Sequence, residues 1–132
     1  MNRDESRDTH STAGVPPSVA AARALFFLNA VMWFVFGVFT LWRMARGSAD
    51  QAATAGILAA MMAAYAVVLC FVGWSLGKRK RVFYYLAILV VLGTIVLTIT
   101  DQFGIADFIA LVLNVGLLAL LVMTRRWYLS AA

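Results

Sequence analysis

Charge is what this sequence has least of. Only 13% of its 132 residues are charged, while 64% are hydrophobic. Soluble domains run nearer a quarter charged and half apolar, so a surface facing water all round is excluded. Cysteine occurs once, as Cys70. One thiol permits neither an intrachain disulfide nor a C-x-x-C redox pair, and it leaves the redox compartment unread. Histidine also occurs once, as His10 in the polar N-terminal stretch. Haem or zinc held by histidine inside the apolar segments is therefore excluded. There is no glycine-rich phosphate loop before a basic residue, and Ser48 and Ser75 have no local base to activate them. No enzymatic constellation, cofactor site or metal site is expected, and no nucleic-acid binding either. The basic pI near 10 comes from a few residues flanking apolar runs.

What is present is length without charge. Uncharged runs cover Ala24–Trp42 (19 residues), Gln51–Gly77 (27) and Val82–Thr100 (19). A fourth, Gln102–Thr124 (23), is broken only by Asp107. Nineteen or twenty residues at about 1.5 Å each cross a hydrocarbon core of roughly 30 Å. None of the runs alternates apolar and polar residues, which excludes β-barrel strands. The expected fold is all-α, a polytopic membrane protein with a four-transmembrane-helix bundle. Helices are expected at about 18–42, 52–76, 82–100 and 104–124, with Ser18 as cap of the first. Residues 1–17 read as a disordered tail and 129–132 as a short C-terminal one. A cleaved signal peptide is not expected, because the first run is too long and Asp4, Glu5 and Asp8 dilute the segment before it.

The basic residues assign sides. Arg3, Arg7, Arg23, Lys78, Arg79, Lys80, Arg81, Arg125 and Arg126 fall on one side of a four-span chain. Arg43 and Arg46 fall on the other, with Asp50, Asp101 and Asp107. Lysine and arginine in short loops favour the cytoplasm. Both termini are expected to be cytoplasmic and the location is expected to be the inner membrane. "TDQFG" is then the outer turn between the third and fourth helices. Asp107 lies in the first turn of the fourth, where a carboxylate suits the positive end of the helix dipole. Trp and Tyr gather at the run ends, as headgroup-level anchors do.

A faint internal echo joins "RALFFLNAVMWFVFGVFTL" from Arg23 to "RVFYYLAILVVLGTIVLTI" from Arg81. It reads either as a duplicated helical hairpin or as shared membrane composition.

Helices in lipid associate through small residues and hydrogen bonds. The second helix offers Gly56, Ala60 and Ala64 at four-residue spacing, beside a parallel row of Ala55, Ala59 and Ala63. A small-residue surface of this kind is expected to pack on a neighbour in the same chain or in another copy. The first helix aligns Asn29, Trp33, Gly37 and Thr40 on one face. Thr94, Thr98 and Asp101 share a face of the third, and Asp107 and Asn114 a face of the fourth. Counting from the nearest basic residue, Tyr65, Thr94 and Asn114 lie at similar depth, about 16–20 Å in. They are expected to form a small central polar layer.

Three functional readings follow. The first is a structural or accessory membrane component, with the lipid bilayer, further copies or a larger complex as partners. The second is a minimal transporter or channel subunit, with Asp101, Asp107, Asn114, Thr94, Thr98 and Tyr65 as a polar path. The third is an anionic-lipid-binding protein using Lys78, Arg79, Lys80 and Arg81 on head groups. Small multidrug transporters share the length and helix number but carry a glutamate in the first helix, and the only glutamate here is Glu5. The patterns "FYYLAILVVLGTIVLTITDQFGIADFIALVLN" and "FLNAVMWFVFG" resemble uncharacterised small four-helix integral membrane proteins of prokaryotes, over about residues 23–128. That resemblance implies the fold and brings no activity or site residue with it.

Overall fold

The structure, a computed structural model, describes residues 14–100 and 104–130. Four helices account for nearly all of them: α1 (Pro17–Met44), α2 (Ala49–Ser75), α3 (Arg81–Thr100) and α4 (Ile105–Leu129). A single 3-10 turn, Leu76–Lys78, follows α2. All four helices are long and apolar enough to cross a membrane. The helix α3 has 20 residues, about 30 Å, which matches the hydrocarbon thickness. With 28, 27 and 25 residues, α1, α2 and α4 are long enough to overhang it or tilt.

Several boundaries depart from the sequence reading. The first helix starts at Pro17, with Pro16 as its cap residue and no side-chain cap, so Ser18 is inside the helix. Proline suits that first position because its missing N–H has no helical partner there. The second helix starts at Ala49, because Ser48 Oγ accepts from Gln51 N–H (3.4 Å) and Gln51 Oε1 accepts from Ser48 N–H (3.3 Å). This reciprocal cap reduces the first connection to residues 45–48. The fourth helix continues to Leu129 rather than ending near 124, carrying Arg125, Arg126, Trp127 and Tyr128 as helical residues. Residues 1–13, with His10, and the 101–103 turn, with Asp101, lie outside the described residues.

The chain forms two helical hairpins, α1–α2 and α3–α4, joined mainly where α1 packs on α4. The fourth seam, α2 against α3, is narrow. Close approach within the first hairpin comes from glycine. A Cβ at Gly73 would lie 3.0 Å from Phe26 Cβ, and one at Gly37 would lie 3.3 Å from Met62 Cβ. The row of α2 that packs on α1 contains Ala55 and Ala59. The alternative row turns away: Ala60 and Ala64 are exposed, and a Cβ at Gly56 would meet nothing within 4 Å. Within the chain, then, Gly56, Ala60 and Ala64 are not the packing surface. Cys70 is also exposed, on the apolar outside of α2, rather than packed as a small residue.

The buried core runs along the bundle through Val19, Phe26, Leu69, Leu76, Val91, Leu117, Leu121 and Tyr128. At the end of the bundle that carries the termini, arginines tie the helices. Arg23 Nε donates to Gly73 O (3.2 Å), Arg79 Nε to Trp127 O (3.2 Å) and Arg81 Nη2 to Leu129 O (2.9 Å). The acceptors on α4 are in its last turn, where helix carbonyls lack helical partners. Tyr128 Oη donates to Leu76 O (2.8 Å), joining the hairpins at the same level.

Candidate functional site

Asn29, Asn114, Tyr65 and Thr94 assemble into two pairs on opposite seams, not one layer. On the α1–α4 seam, Asn29 Nδ2 donates to Asn114 Oδ1 (3.3 Å), and Asn114 Nδ2 donates to Ala110 O (2.7 Å). Both asparagines are fully buried, and Asn29 Oδ1 accepts nothing from the described residues. Gly37 lies on the same helix as Asn29, two turns away, and admits α2. On the α2–α3 seam, Tyr65 and Thr94 are bonded hydroxyl to hydroxyl. The proton direction follows from Thr94: its own hydroxyl donates to Val90 O (2.8 Å), so Tyr65 donates to Thr94. Asn114 thus stands apart from Tyr65 and Thr94, because it faces the other seam. That pairing takes it out of the expected polar path.

Beyond the Tyr65–Thr94 bond, toward the end opposite the termini, α2 and α3 separate. The space between them is a cleft of about 500 Å³. The α2 wall is Leu58, Met61, Met62 and Tyr65; the α3 wall is Thr94, Leu97, Thr98 and Thr100. Trp33 reaches in from α1, and Asp107 from the first turn of α4. From Thr94 to Thr100 the α3 wall spans about 9 Å along the helix axis. On the terminal side of the bond, Phe71 of α2 and Phe83 of α3 meet across the seam, with ring centroids 6.2 Å apart. The hydroxyl bond therefore floors the cleft.

The chemistry of the lining is mixed. Trp33 meets Tyr65 edge-on at 5.5 Å, and its indole Nε1–H is buried without a partner among the described residues. Thr98 Oγ1 donates to Thr94 O (2.8 Å), leaving its oxygen lone pairs available. Asp107 is half-buried. Its Oδ2 accepts from Gly104 N–H (2.9 Å), which holds the carboxylate at the helix start. Among the described residues, no lysine or arginine lines the cleft. No group of three His, Cys, Asp or Glu able to hold a metal ion occurs among the described residues.

Of the expected path, Tyr65, Thr94, Thr98 and Asp107 line one cleft. The residues that sequence reasoning missed are Leu58, Met61, Met62, Leu97 and Thr100. Only the pair of flexible methionines one turn before Tyr65 was a usable signal. Trp33 was legible as a face-mate of Asn29, but its side chain turns to the cleft.

The basic loop is largely occupied by its own chain. Arg79 and Arg81 hold α4 carbonyls, and the Arg79 guanidinium also lies 5.2 Å from the Trp127 ring centre. Lys78 Nζ stands 3.7 Å over the Trp74 ring. Lys80 is exposed. A shallow depression of about 410 Å³ on α1, formed by Phe34, Val35, Val38, Phe39 and Trp42, has no polar side-chain group beyond an indole to orient a ligand.

Fold and cleft together define a bundle of four helices, each long and apolar enough to cross a membrane, with a side opening between α2 and α3. No family model, curated protein or solved structure matches the chain.

Proposed function

We propose that this protein is a binding or minimal transport component of the cytoplasmic membrane, with both termini inside, that admits a membrane-dissolved small molecule through the α2–α3 cleft. The observation that carries this reading is the combination of one open seam with a polar floor. Three seams of the bundle are closed by packing, and the fourth has about 500 Å³ of space ending on the Tyr65–Thr94 bond. Pockets of this size, mostly apolar with a few convergent polar groups, suit small-molecule ligands. The charge bias of the loops supports the orientation, which places the cleft mouth on the outer side.

Thermal unfolding in detergent with a panel of membrane-partitioning neutral and charged compounds tests this. Binding to the folded state raises the midpoint. At least one compound is expected to stabilise the wild type and not Thr98→Trp, whose indole fills the cleft. Identical responses of the two proteins to the whole panel would refute the reading.

Association of copies is a second reading, favoured by the uncovered Gly56, Ala60 and Ala64 row. Small-residue rows let helix backbones approach closely in lipid. In a Cys70→Ser background, Ala60→Cys is expected to cross-link between copies in membranes, while Met61→Cys, exposed at the same depth but about 100° round α2, does not. Equal yields at both positions would remove this second reading.

A further inference from the structure

We propose that the α2–α3 cleft selects a lipophilic monovalent cation, a quaternary ammonium or phosphonium type of molecule, with its positive charge toward Asp107. This rests on the cleft being a ligand site and adds the charge class of the ligand.

Each class of occupant would leave different groups of the lining unpaired. An alkyl chain or other neutral hydrocarbon would satisfy Met61, Met62 and Leu97, yet would place apolar matter against a half-buried carboxylate. Covering a charge without pairing it is unfavourable. An anion would meet the Asp107 carboxylate, of its own sign, and among the described residues of the lining no lysine or arginine. A hard divalent ion wants six or more oxygen ligands, and the described residues of the lining supply one carboxylate. A lipophilic cation meets none of these objections.

The positive features agree. Asp107 spends Oδ2 on Gly104 N–H, and among the described residues no donor is bonded to Oδ1. Its place at the helix start and the cleft edge keeps the charge at the wetter end of the cleft. The deeper end offers the rings of Trp33 and Tyr65 and two polarisable thioethers. Aromatic rings attract organic cations through their quadrupoles, most strongly when the cation sheds little water on arrival. Bulky onium ions are of that kind. The hydroxyls of Thr94 and Thr98 add oxygen lone pairs along the α3 wall. Site shape, sign of charge and ring content therefore point to one ligand class.

The test uses two rigid ions of matched size and opposite charge, tetraphenylphosphonium and tetraphenylborate. Binding is measured by equilibrium dialysis against purified full-length protein in an uncharged detergent. Three proteins are compared: wild type, Asp107→Asn and Thr98→Trp. Asparagine keeps an acceptor for Gly104 N–H and removes only the charge, so the fold of the α4 start is retained. Wild type is expected to bind tetraphenylphosphonium about tenfold more tightly than tetraphenylborate, the scale of one partly screened charge. Asp107→Asn is expected to bring the two within about twofold of each other, and Thr98→Trp to weaken both. If wild type and Asp107→Asn bind both ions alike, and Thr98→Trp still weakens them, the charge class is wrong and the cleft stands. If wild type binds neither ion, the proposal is overturned; if no neutral compound then discriminates Thr98→Trp either, the cleft reading falls with it.

Discussion

Asn114 and Tyr65 look alike as isolated polar residues in apolar helices, but their surroundings make their removal unequal. Asn114 is the partner of fully buried Asn29, whose other amide atom already lacks one among the described residues. Replacing Asn114 by leucine strands the whole Asn29 amide in the core. A loss of about 1–2 kcal/mol is expected, the range for a polar group left unpaired within a membrane bundle. The double variant Asn29→Leu/Asn114→Leu is expected to recover most of it, since no orphan remains. Chemical or thermal unfolding of the three proteins in detergent measures this, and an additive double variant would contradict the pairing. Tyr65→Phe differs. Thr94 keeps its bond to Val90 O, so no buried donor is stranded and the loss is expected to stay near about 0.6 kcal/mol.

Glycine positions separate contact from open space at the level of whole helices. Gly73 sits where a Cβ would press on Phe26, whereas Gly93 of α3 has nothing within 4 Å. Gly73→Val is expected to push α1 and α2 apart at a cost of about 1–3 kcal/mol. Gly93→Ala is expected to be neutral or to stabilise by up to about 1 kcal/mol, through helix propensity alone. Melting midpoints of the two variants check the contrast, and equal destabilisation would mean that the hairpin does not pack as described. The helix ends teach a related point. Ser48 and Gln51 form an S-x-x-Q cap that was present in the sequence, and a reading by uncharged runs passes over it. The α4 end was hidden by Arg125 and Arg126, since charge marks the edge of hydrocarbon and not the end of a helix. Beyond that edge, Arg79 and Arg81 donate to the last carbonyls and keep the helix wound to Leu129. Each hairpin also has an arginine at the start of its first helix bonded to a carbonyl near the end of its second, Arg23 to Gly73 and Arg81 to Leu129.

For the molecule as a whole, the proposed four membrane crossings make the chain's loops alternate between two compartments. In a Cys70→Ser background, Lys80→Cys and Ser130→Cys are expected to react with an impermeant maleimide only from the cytoplasmic side. Gly47→Cys is expected to react only from the outside. Labelling of Lys80→Cys and Gly47→Cys from one side would break the four-span account. The same arrangement puts the cleft mouth beside the short connections and the arginine ties at the opposite end. The bundle is thus fastened at one end and open along one seam at the other.

The number of spans, their approximate centres and the clustering of basic residues at one end follow from the amino-acid sequence by itself. Hydrocarbon thickness is a single length, and an uncharged run of about 20 residues meets it whatever its neighbours do. Which small-residue row of α2 packs, that Asn114 joins Asn29 rather than Tyr65, and that α2 and α3 part to leave a cleft under Asp107 were decided only in three dimensions. In lipid no hydrophobic force chooses among the apolar faces of a helix, so its rotation and tilt depend on the close packing and hydrogen bonds of all four helices together.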